Sequence, residues 1–117
     1  MNVRIKRVYE PAEKTDGYRI LIDRLWPRGL TKEKAQVDKW LKEVAPSTEL
    51  RKWFQHDPEK WSRFCTRYRV ELKGSPAFGE LQADIHHHKV VTLLYGAKDE
   101  QHNDAVALRD LIGEQAG

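Results

Sequence analysis

Three short apolar runs and several helical stripes divide this chain, and the runs come first. Val3 to Val8 is rich in β-branched residues, Tyr18 to Asp23 centres on Ile20-Leu21-Ile22, and Val90 to Tyr95 reads Val-Val-Thr-Leu-Leu-Tyr. Such runs predict strands, and their continuous apolarity predicts a sheet covered on both faces. Between them the period becomes helical. Asp57-Pro58-Glu59 is a start signal, with Asp as N-cap and Pro at the first helical position, and Trp61, Phe64, Cys65, Tyr68 and Leu72 follow at helical spacing. Ser75-Pro76 repeats the signal for a shorter helix reaching towards Ile85. Ser47 is the expected cap of a helix carrying Leu50 and Phe54, with Glu49 well placed in its first turn. A last helix begins near Asn103 and presents Ala105, Leu108, Leu111 and Ile112 on one face.

Strand, strand, helices, strand, helix is an α/β order, which predicts a compact three-layer domain with a small, mostly parallel sheet and helices on both faces. At 117 residues and 39% hydrophobic, the chain can supply one such core, so a single domain over residues 1–117 is expected. Val37 to Leu41 fits either a short strand or the start of a helix. The stretch from Tyr9 to Gly17 is too short for an ordinary parallel crossover. Either the first two strands are antiparallel or the crossover has shrunk to a turn. Glu10 to Asp16, with Pro11 and three acids, is expected on the surface.

Candidate chemistry starts where the second run ends. Asp23-Arg24-Leu25-Trp26-Pro27-Arg28-Gly29 sets an acid and two arginines directly after a buried strand. In open α/β sheets ligands gather beyond the carboxyl ends of the strands. Parallel strands would bring this segment there together with the Pro46-Ser47-Thr48 turn and the stretch Tyr95 to Asp99. Arg24, Arg28, Arg51 and Lys98 then converge, helix N-termini near Ser47 and Asn103 add N–H donors, and Trp26 can stack on a ring. Guanidinium forks suit phosphate or carboxylate, so the expectation is a small-anion site. The competing reading is a structural network at the sheet rim, with Asp23 and Arg24 paired to other groups and Trp26 in the core. Asp23 and His56 are the candidates for moving a proton, although His56, next to the Asp57 cap, equally suits capping or packing.

Other features narrow the field. The only cysteine, Cys65, excludes an internal disulfide and lies on an apolar stripe, where a small buried hydrophobe is expected rather than a nucleophile. In His86-His87-His88 adjacent rings fan out around a helix, and Asp84 with His88 would make only two ligands, so a solvated helix end is expected and no metal. Lys60, Arg63 and Arg67 form a ridge that Glu59–Arg63 and Arg67–Glu71 pairs would compensate. Charged residues are 33% of the chain but the net charge is only +3, and no nucleic-acid or cofactor motif appears. No cofactor is expected, and nucleic acid ranks last among partners. With no basic-then-apolar leader and no run long enough to span a bilayer, a cytosolic protein without a membrane partner is expected.

Lys6-Arg7-Val8-Tyr9, Asp16 to Leu21, Asp23 to Gly29, Ala45 to Arg51, Leu93-Leu94-Tyr95 and Ala97-Lys98 closely resemble the YeaO-like branch of a bacterial and archaeal family of unknown function, over about Val3 to Leu111. The resemblance implies a three-layer α/β domain whose longer members join the first two strands by a full helix. By that likeness Glu10 to Asp16 is a trimmed parallel crossover. Longer members share the Arg-x-x-Pro pattern matched by Arg24 and Pro27. They often carry a Cys-His-Arg trio at the start of the last helix, where this chain has Asn103, Asp104 and Ala105, so thiol chemistry does not carry over. Three readings remain: an enzyme on a small phosphorylated or nucleotide-like substrate, a non-catalytic sensor of such a ligand, and a nucleic-acid-binding protein.

Overall fold

The computed structural model describes residues 2–116 and is an α/β fold built on one four-stranded sheet. Strands β1 (Asn2–Arg7), β2 (Tyr18–Leu21), β3 (Lys39–Trp40) and β4 (Val90–Tyr95) lie in the order β1-β4-β2-β3, and every pairing is parallel. The central strand, β4, is paired on both sides and covered on both faces, which is why Val91 to Tyr95 is buried without alternation. Because β1 and β2 flank β4 in parallel, the segment between them is a crossover with its helix reduced to a 3-10 turn, Lys14–Asp16. The open choice at Val37 to Leu41 resolves as strand β3, two residues held beside β2 at the sheet edge.

Helices cover the two faces unequally. Ile20, Ile22, Val91, Leu93 and Tyr95 form the first face, and α2 (Thr48–Phe54), α3 (Trp61–Leu72), α4 (Pro76–His87) and α5 (Asp104–Ala116) pack over it in the main core. Each fully buried Leu, Ile or Phe here contributes roughly 1.5–3 kcal/mol. The second face has a smaller cluster of Val8, Leu21, Ala35 and Leu94, covered by the four-residue α1 (Lys32–Ala35) and by Trp26, Leu30 and Val37.

The rest of the second face is polar, and this corrects one expectation. Asp16 was placed on a surface connection, but it is buried. It accepts from Lys6 Nζ, Arg19 Nη1 and the Glu13 backbone N–H, while Thr92 Oγ1 donates to its carbonyl. Arg19, also buried, reaches the carbonyls of Ala35 and Gln36 at 2.8 and 3.0 Å, so one guanidinium ties α1 to the sheet. A charge network thus closes this part of the second face. Gly17 makes the turn possible: its φ is 66°, and a Cβ there would come within 2.3 Å of the Val90 carbonyl oxygen.

Candidate functional site

A cavity of about 320 Å³ opens beyond the carboxyl ends of β2 and β4. Arg24, Arg51, Lys52 and His56 supply its basic groups, Asp23 and Asp104 its acids, and Leu25, Phe54 and Phe64 part of its apolar wall. Five of the ten residues singled out in the sequence therefore do not line it, and five do: Asp23, Arg24, Arg51, His56 and Asn103.

Asp23 is placed by the strand ends. Its Oδ2 accepts the Gly96 N–H at 2.8 Å, and its carbonyl accepts Trp40 Nε1 at 2.7 Å, which locks the exits of β2, β3 and β4 together. Gly96 serves close approach here, since a Cβ would lie 3.3 Å from Asp23 Oδ2. Asp104, in the first turn of α5, joins Asp23 in the cavity lining. Its Oδ1 accepts the Ala105 N–H. Asp104 as a residue is only half-buried, but its carboxyl is packed among protein atoms. Burial first, and the Asp23 charge and hydrogen bond after it, hold that carboxyl well above the usual range. Tyr68 lies beneath, fully buried, with its hydroxyl donating to the Val44 carbonyl; burial, then the charges of Asp104 and Asp23, push its pKa up.

Arg24 donates from Nη2 to the carbonyls of Ala45 and Pro46 at 3.3 and 3.5 Å, and its Nε is buried with no partner. Among the described residues no carboxylate pairs with Arg24, Arg51, Lys52 or His56. Gln55 and His56 both have left-handed backbone, with φ of 47° and 55°; the turn ends α2 and brings His56 over the cavity, its ring 5.7 Å from that of Phe54. Left-handed backbone at a residue other than glycine is uncommon and concentrates where structure over-determines it.

The remaining sequence candidates have structural places. Trp26 donates Nε1 to the Leu30 carbonyl and meets Trp40 edge-on at 5.4 Å, on the second face. Arg28 is exposed outside the cavity, with its carbonyl accepting from Tyr9 Oη. Lys98 is exposed and Tyr95 is buried in the main core. Ser47 caps α2, as its position implied, but does not offer N–H groups to a ligand: the Glu71 carboxylate takes both its N–H and its hydroxyl. Asn103 caps α5, accepting the Val106 N–H through Oδ1 and donating Nδ2 to the Asp99 carbonyl. Each helix thus takes a cap from within the chain. The Glu71 contact also removes the expected Arg67–Glu71 pair, and no Glu59–Arg63 pair forms; the Arg67 guanidinium lies 4.1 Å over the Trp53 ring instead.

A family model described as the Inactive DUF488-N3 subclade matches residues 2–116. The chain belongs to that subclade. It is 48% identical over 112 residues to "Uncharacterized protein YeaO" of Escherichia coli, covering 96% of this chain and 97% of that one. It is 41% identical over 110 residues to "Uncharacterized protein Rv3073c" of Mycobacterium tuberculosis, covering 94% and 92%. No solved structure matches. The likeness to YeaO agrees with the resemblance read from the motifs. The sequence search missed Lys52 and Asp104. Lys52 carries no signal beyond adjacency to Arg51, and Asp104 none beyond its place after the Asn103 cap.

Proposed function

We propose that this protein binds a small organic anion in the cavity formed by Asp23, Arg24, Arg51, Lys52 and Asp104, without converting it. One observation carries the reading: Arg24 and Arg51 line the same cavity with no carboxylate paired to either among the described residues, and the Arg24 Nε is a buried donor with no acceptor. A buried polar group left unpartnered is costly, and an anion at this position would supply the missing acceptor. The absence of the thiol, and the description of the subclade as inactive, support binding over turnover.

Calorimetric titration with inorganic phosphate tests this. Arg51→Ala is expected to weaken binding by about tenfold, the worth of one charge-assisted hydrogen bond. Binding unaffected by both Arg51→Ala and Lys52→Ala would remove the reading. The Asp23–Asp104 pair favours one second reading, an acid–base enzyme at the same cavity with His56 nearby. Turnover of a bound phosphate ester, abolished by Asp23→Asn with binding kept, would establish it.

A further inference from the structure

The floor of this cavity is chemically mixed, and a simple anion would leave half of it unused. Asp23 and Asp104 stand together in its lining, and burial, with the Asp23 charge after it, favours the protonated Asp104 carboxyl, so the pair offers a donor beside acceptors. Arg24, whose buried Nε has no partner, shares the lining with exposed Arg51 and Lys52, and Phe54 and Leu25 add apolar surface. Resting on the anion reading above, we propose that the ligand is a phosphorylated polyol, a sugar phosphate or the ribose phosphate of a nucleotide, with a hydroxyl bridging Asp23 and Asp104 and the phosphate on Arg51 and Lys52.

Three observations select this class. A hydroxyl both donates and accepts at one oxygen, so it can meet the two carboxyls whichever of them carries a proton. An ammonium group would add charge to a cavity already lined by three cations, Arg24, Arg51 and Lys52. An alkyl group would strand both carboxyls. Three cations against two carboxyls leave the lining with surplus positive charge, which suits a phosphate monoester dianion better than a carboxylate. The volume, about 320 Å³, stands at the small end of ligand cavities and suits a ligand of sugar-phosphate size.

The test compares phosphate esters that differ only in hydroxyls. Calorimetry on the full chain at low salt would use propyl phosphate, glycerol phosphate, ribose-5-phosphate and adenosine monophosphate. Ribose-5-phosphate is expected to bind about tenfold or more tightly than propyl phosphate, the worth of a hydrogen bond to a charged group. Adenosine monophosphate tighter again would assign a nucleotide as the source, and equal or weaker binding a free sugar phosphate. Asp104→Ala, checked for folding by circular dichroism, should remove the preference for ribose-5-phosphate over propyl phosphate. The ligand series on the unaltered protein decides the matter even if that variant unfolds. Equal affinity for propyl phosphate and ribose-5-phosphate overturns the polyol class while the anion reading stands, and failure of every phosphate compound to bind overturns both.

Discussion

Asp16 and Asp104 are aspartates that their surroundings drive in opposite directions. Burial works to raise the Asp16 pKa, but the Glu13 N–H, Lys6 and Arg19 outweigh it and the net shift is downward. A carboxyl lowered by folding stabilises the fold above its unfolded value and loses that contribution as pH falls through its folded value. Stability is therefore expected to decline below about pH 4, and Asp16→Ala to cost about 3–5 kcal/mol at neutral pH by leaving Arg19 buried without its carboxylate. Urea unfolding across the acid range measures both, and a loss under about 1 kcal/mol would show the network to be dispensable. Asp104 has the reverse sign. Its raised value means that the folded state holds a proton the unfolded chain gives up, so its contribution weakens as pH rises above about 4. Asp104→Asn should flatten that decline and raise the melting temperature near neutral pH; a lowered one would contradict the burial cost. Neither role was legible in the sequence. Nothing local distinguishes Asp16, which turns inward to Arg19, from Glu13, which stays out.

At the scale of elements, legibility followed locality. Ser47, Asp57 and Ser75 were readable as caps because the bonds they make, to Leu50, Glu59 and Phe78, lie within three residues. Strand β4 was readable to the residue because burial on both faces removes every polar interruption but Thr92. Strand β3 was not, since only two residues pair and the pairing comes from β2. Nor was the closing of the α2 terminus by Glu71, a contact across 24 positions. Ser47→Ala is expected to cost about 1 kcal/mol through the lost cap, while the Glu71 carboxylate keeps its bond to the backbone N–H of residue 47. Gly17→Ala should be far worse, because left-handed backbone and the Val90 carbonyl both oppose a side chain there. Chemical denaturation ranks the two, and a Gly17→Ala protein as stable as Ser47→Ala would mean the crossover can move.

Across the whole molecule, a sheet with one thick helical face and one thin polar face places the open cavity at the strand ends, where the topology predicts ligands. Arg24 and Arg51 line that cavity together. Arg28, Lys98 and Trp26 do not join them, because adjacency in the chain is not convergence in space: Trp26 turns to the second face while Arg28 and Lys98 stay in solvent. The basic groups of the cavity are few, so affinity for a small anion should fall only gently with salt. A nucleic-acid ligand would instead lose about one logarithmic unit per phosphate neutralised for each decade of salt.

The most direct measurement is a titration of the isotopically labelled protein with inorganic phosphate, followed by amide chemical shifts. The expected result is saturable shifts confined to Asp23, Arg24, Arg51, Lys52, Ala97 and Asp104, around one cavity. No saturable shift there, or shifts centred on the Lys60, Arg63 and Arg67 ridge, would contradict the assignment of this cavity as an anion site.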